Sequence, residues 1–174
     1  MYGLRVPRRR RVTFDPIAEA TRQWDERFGR SLPMTTVISL MRAHQLVQAG
    51  VDACLLPFGL SFARYEALVL LSFTRQGRLP MNKMGERLMI HPTSVTNIVD
   101  RLEQDGLVIR AENPADRRSR LVEITSVGRS TAEQATQALN TAEFGLAAMP
   151  DRDLQALVGI LRRLRLNSGD LQTQ

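Results

Sequence analysis

Apolar residues recur at intervals of three and four through successive stretches of this chain, and caps, prolines and glycines separate one stretch from the next. Asp15 followed by Pro16 reads as an N-cap with proline at the first helical position, opening a helix through Trp24 to Phe28 that Gly29 ends. After Pro33 a longer helix carries Val37, Leu40, Met41, His44, Val47 and Val51 on one stripe, until Pro57 and Gly59 break it. Ser61 caps a third helix with Tyr65, Leu68, Val69 and Phe73 expected inward, and Gly77 to Pro80 reads as a turn. Met81 to Leu88 is then a short helix packing through Met84 and Leu88, and Met89, Ile90 and His91 make a turn. Pro92 opens a helix whose stripe is Val95, Ile98, Val99 and Leu102, and Gly106 sits where a left-handed glycine closes a C-terminus. Leu107 to Ile109 and Leu121 to Ile124 read as two β segments around an arginine-rich loop. A long helix is expected from Ser126 through Ala148, broken at Met149–Pro150. The last helix has Asp151 and Asp153 in its first turn, where carboxylates suit the helix dipole. Its stripe is Leu154, Leu157, Val158, Leu161 and Leu164, with Arg162, Arg163 and Arg165 elsewhere. The fold class that follows is mainly α with a small β-wing.

The polar side of the helix opened by Pro92 holds Thr93, Ser94, Thr96, Asn97, Asp100 and Arg101, groups that reach without bulk. A polar-faced helix beside a basic hairpin suits a DNA groove and its flanking phosphates. Thr93, Ser94 and Asn97 lie toward the helix N-terminus, the part that meets base edges in helix-turn-helix proteins. Asn97 suits a bidentate pair with adenine and Thr93 a methyl contact with thymine, while Thr96 and Arg101 are placed for the backbone.

The run SVTNIVDRLEQDGLVIR, together with NPADRRSRLVEITSVGR, resembles the two diagnostic segments of the MarR family of winged helix-turn-helix transcriptional regulators. The likeness covers about seventy contiguous residues, Leu60 to Gly128. It implies a winged helix-turn-helix over about 60–126, flanked by dimerisation helices at about 15–55 and 126–167, in a single domain of residues 14–174. By the same resemblance Asp116 braces Arg118, and Arg117 or Arg118 reaches a minor groove or a phosphate. Arg120 opens the return strand as a further contact or as a solvated edge charge. His91 stands where the family often has a Ser or Asp cap. The terminal helices are too narrow in apolar content to form a core alone, so their stripes call for a partner. The family interlocks such helices between two subunits, which places the interface at roughly 15–50 and 140–166 and implies a homodimer on a pseudo-palindromic duplex.

Charge agrees with a polyanionic partner: 24 Lys and Arg against 18 Asp and Glu give a net +6. Residues 1–13, with Arg5 and Arg8 to Arg11, read as a flexible basic arm, either a solvated tail or a clamp on the DNA backbone or minor groove. One cysteine forms no internal disulfide, and with only His44 and His91 there is no metal-binding pattern, so no cofactor is expected. No apolar run approaches the roughly 18–20 residues of a membrane span, and the basic N-terminus lacks the apolar stretch of a secretory signal. A cytoplasmic protein is expected. The absence of paired carboxylates, a phosphate-binding glycine loop and a Cys–His or Ser–His setting argues against an enzyme.

The resemblance also implies a small effector, often an aromatic or other anion, held between the dimer helices and the winged core. Trp24, Met41, Arg42, His44, Phe62 and Tyr65 would line that crevice. For Trp24, Met41 and His44, ordinary packing remains the alternative reading. A narrower likeness, to the urate-responsive branch, rests on Trp24 and on Pro33, Met34, Val37 and Ile38, and places an acid, usually aspartate, where Glu66 stands. The function implied is a repressor released by its effector. Two alternatives stay beside it: a sequence-indifferent architectural DNA binder, and a redox-responsive regulator acting through Cys54. The second is disfavoured by the apolar surroundings of Cys54 and its place near the end of its helix.

Overall fold

The computed structural model describes residues 13–114, 116 and 119–170. It contains seven α-helices and three strands: α1 Pro16–Phe28, α2 Leu32–Leu55, α3 Phe62–Ser72, β1 Arg78–Pro80, α4 Met81–Leu88, α5 Pro92–Gln104, β2 Val108–Glu112, β3 Arg120–Ile124, α6 Ser126–Thr141 and α7 Asp151–Asn167. The caps expected from sequence act as such. The Asp15 carboxylate accepts from the Ile17 N–H, the Ser61 hydroxyl from the Arg64 N–H, and Gly106 follows α5 in the left-handed region.

The core is built where α3, α4, α5, α6 and the end of α2 meet a small antiparallel sheet. Leu55, Leu68, Leu71, Met84, Val99, Leu102, Val108, Val122 and Leu139 are fully buried there. The Tyr65 hydroxyl is held 3.0 Å from Thr136 Oγ1 on α6, so that ring is part of this core. Strand order is β1-β3-β2, with Leu79 opposite Val122 and Val108 opposite Ile124.

Three expectations are corrected. Arg78–Pro80 is a strand on the sheet edge rather than a plain turn. Three residues ending in proline are too short to show a period, and only an edge tolerates the missing N–H. Phe73 faces solvent (82% exposed) because α3 stops at Ser72, and Leu71 takes the inward place. The helix from Ser126 stops at Thr141, not Ala148, and Glu143 and Phe144 adopt left-handed φ values of 46° and 51°. The turn that follows, Glu143–Gly145, packs on α2. Gly145 lies in van der Waals reach of α2: a Cβ on Gly50 would stand 3.5 Å from the Gly145 Cα.

α1 and α7 contain no buried residue. α1 lies on α2, joined by the Thr21–Thr35 hydroxyl pair at 2.8 Å and by the Asp25 carboxylate accepting from the Ser31 N–H. α7 packs extensively on no other element. Phe28, Val37, Met41, Val158 and Leu164 therefore stand exposed. Among the described residues no single helix is long and apolar enough to cross a membrane.

Candidate nucleic-acid interface

α4, a three-residue turn and α5 form the helix-turn-helix. Met89 adopts φ 55° and its N–H returns to the Gly85 carbonyl, as does that of Ile90. Gly85 is needed at this crossing, since a Cβ there would lie 3.3 Å from both the Ile90 carbonyl oxygen and Val95 Cγ2. His91 occupies the N-cap of α5, and its Nδ1 accepts from the Thr93 N–H at 3.3 Å. The imidazole thus takes the role that a shorter oxygen-bearing side chain performs with better reach. His91→Ser should raise stability by about 0.5–1 kcal/mol, read as a higher urea midpoint with an unchanged slope.

Val95, Val99 and Leu102 are buried and Ile98 packs against the core, which leaves Thr93, Ser94, Thr96, Asn97 and Arg101 exposed on the outer side of α5. The structure sorts these residues further. Thr96 donates its hydroxyl proton back to the Pro92 carbonyl at 3.3 Å, so what it offers a groove is chiefly its methyl. Asn97 and Arg101 border a hollow of about 330 Å³ completed by Ser61, Arg64 and Ile98. Arg64 joins the start of α3 to the end of α5, donating to Asp105 Oδ2 at 2.9 Å and to the Gly59 carbonyl.

Asp100 does not belong to the free polar face. Its carboxylate and that of Glu103 both receive the guanidinium of Arg110 on β2, and Glu103 also accepts the Arg110 N–H at 3.1 Å. Burial alone would lower the pKa of Arg110, but the hydrogen bonds it donates to both carboxylates hold it above the usual arginine value. Sequence reasoning missed this clamp. Its signal was two acids one helical turn apart with an arginine on the following strand.

In the wing, the Asp116 N–H donates to the Asn113 carbonyl at 3.2 Å and the Ser119 N–H to the Asp116 carbonyl at 3.0 Å. Asn113 Nδ2 donates to Ser119 Oγ at 2.6 Å, tying the two sides of the loop together. Asp116 is exposed; Arg117 and Arg118, and the Arg8–Arg11 arm, lie outside the described residues. Arg120 approaches Glu112 at 3.8 Å, with both side chains well exposed, a pairing that holds neither in place.

The residues expected to line an effector crevice do not form one hollow in the single chain. The Trp24 and Phe28 rings meet at a tilt with centroids 5.0 Å apart, and Phe62 stacks on Tyr65 at 6.1 Å. Met41, Arg42 and His44 are exposed near the middle of α2, so His44 is not the core histidine that its stripe suggested. Glu66 is exposed as a residue, yet partial desolvation of its carboxyl pushes the pKa up. Cys54 is half-buried against the core. Among the described residues no cluster of His, Cys, Asp and Glu is placed to hold a metal.

Residues 62–119 match the model of the MarR family. The fold is similar to Sco5413 of Streptomyces coelicolor, a MarR family transcriptional regulator. That match has 48% identity and a TM-score of 0.74, and covers 81% of this chain and 98% of that one. The organic hydroperoxide resistance transcriptional regulator of Bacillus subtilis is 32% identical over 105 residues, 60% of this chain and 69% of that protein. CouR of Rhodococcus jostii, a transcriptional repressor solved on a 23-mer DNA duplex and also with p-coumaroyl-CoA, is 25% identical to this chain. On DNA it matches with a TM-score of 0.69, covering 77% of this chain and 94% of that one. The polar face of α5, the short wing and these likenesses agree: the chain belongs to the MarR family and is a DNA-binding transcriptional regulator, not an enzyme.

Proposed function

We propose that two copies of this chain bind a pseudo-palindromic duplex site and repress a nearby operon until a small aromatic or anionic effector releases them. The observation that carries this reading is the exposed row Thr93, Ser94 and Asn97 on a helix whose opposite side is locked into the core. Such a helix offers base-edge donors and acceptors without needing to rearrange. Dimerisation is supported by the unpartnered apolar faces of α1, α2 and α7, and would set two recognition helices about 34 Å, one helical turn, apart. In this reading Arg101, Arg120 and the wing residues Asp116, Arg117 and Arg118 act at the DNA backbone and minor groove.

The effector part rests on the exposed Met41, Arg42 and His44 of α2 and on Trp24, with Phe62, Tyr65 and Glu66 of α3 as further candidates, Tyr65 through a ring that is otherwise part of the core. CouR, which binds both DNA and an aromatic acyl thioester, is a precedent for the two roles in one protein. An effector must bind one dimer geometry better than the other to shift the population.

The test is binding of the purified protein to genomic fragments, including DNA upstream of its own gene, at near-physiological salt with excess competitor. A competitor-resistant complex with a short pseudo-palindromic footprint is expected. Asn97→Ala should weaken it by about 1–3 kcal/mol and relax preference at one position of each half-site. Weak, salt-sensitive binding that ignores sequence would point instead to an architectural protein.

A further inference from the structure

Arg110 lies in the middle of β2, and its side chain turns back to the recognition helix instead of out to solvent. Nη2 donates to Asp100 Oδ1 and Nη1 to Glu103 Oε2, two carboxylates one turn apart on α5. The Arg110 main-chain N–H donates to the second oxygen of Glu103 at 3.1 Å. Three bonds therefore leave one residue for one edge of one helix. The rigid fork of a guanidinium spans both acids at once, which fixes the rotation of α5 about its axis as well as its distance from the strand. The arginine side chain is 25% exposed, so the pairing is partly shielded from water and salt.

The placement matters in both directions along the chain. Asn97 stands one turn before Asp100, so the clamp grips α5 directly behind its base-facing residues. On the other side β2 continues through Ala111 and Glu112 into the wing loop. Neutralising two acids near phosphates would need only a cation close by. A three-bond grip that includes the main chain goes beyond that need.

We infer that Arg110 is a positioning residue that ties α5 to β2, so that the base-reading face and the wing engage DNA as one body. The inference rests on the DNA-binding reading above. Its test compares Arg110→Met, Arg110→Lys and the triple variant Asp100→Asn/Glu103→Gln/Arg110→Met in the full chain. Arg110→Met should lower affinity for the preferred site roughly tenfold, within the range that such coupling residues show. It should also lose footprint protection where the wing lies and leave affinity for unrelated duplex nearly unchanged. Arg110→Lys, which keeps the charge but not the fork, should recover only part. The triple variant, with no carboxylates to repel phosphate, should bind as poorly as Arg110→Met.

Full recovery in the triple variant or in Arg110→Lys would assign Arg110 to charge neutralisation and overturn positioning, as would wild-type affinity in Arg110→Met. A wild-type protein with no preferred site would defeat the regulatory reading instead. Amide exchange in the free protein then judges the clamp separately. Faster exchange at residue 110 and along the second half of α5 in Arg110→Met upholds it, and unchanged exchange rejects it.

Discussion

Gly128→Ala should destabilise the protein by about 3 kcal/mol or more, at the upper end of overpacking costs. The reason is space, not backbone freedom, since Gly128 sits in the first turn of α6 without a positive φ. A Cβ there would lie 2.0 Å from the carbonyl oxygen of Leu107 and 2.9 Å from its carbon, both main-chain atoms that no rotamer change can move. That same carbonyl accepts the Thr125 N–H at 3.0 Å and the Thr125 hydroxyl at 3.1 Å, while Thr125 Oγ1 accepts the Gly128 N–H at 2.9 Å. Relieving the clash therefore pulls α6 away from the foot of β2 and breaks its own N-cap. Urea unfolding at fixed protein concentration measures the effect, because any dimerisation shifts the midpoint. A change below about 0.5 kcal/mol, the scale of an innocuous surface substitution, would mean that α6 does not press on Leu107 as described.

The segment NPADRRSRLVEITSVGR carries Gly128 as part of a family likeness, but the reason for a glycine there lies in Leu107, twenty-one residues upstream. The same division holds elsewhere. Local chemistry was legible: Asp15, Ser61 and Gly106 mark helix ends because their side chains or φ values act within a few residues. So was the stripe of α5, and with it the exposed polar face, since a helix buries one side at a fixed period. What depended on distant partners was not. The end of α6 at Thr141 is followed by a turn that packs on α2, and β1 needs β3 beside it. Asp100 looked like a groove-facing acid until Arg110 on β2 was seen to hold it. His44 looked like a core residue because its stripe is apolar, yet only the end of that stripe, at Val51, reaches the core, and Val37, Leu40, Met41 and His44 stand exposed.

Exposed apolar side chains on α7 lead to the second large effect. Val158→Glu together with Leu164→Glu should convert a dimer into monomers and lower affinity for the preferred DNA site roughly 100-fold or more, as expected when two linked recognition units are separated. Both side chains stand on α7, 66% and 52% exposed in the single chain, and α7 has no buried residue with which to hold itself to its own core. A helix whose apolar side faces water gains by covering it, and a charge on that side opposes the cover. The winged core should survive, because Leu55, Leu68, Leu102 and Leu139 pack away from α7. Sedimentation velocity reads the association state, far-UV circular dichroism the retained helices, and competition binding the loss on DNA. A variant that stays dimeric would exclude α7 from the interface. A variant that turns monomeric yet keeps wild-type affinity would show that one recognition helix suffices, and would remove the pseudo-palindrome from the proposed target. Loss of both together is the outcome that the geometry demands, because only a two-fold partner places a second α5 on the same face of the duplex.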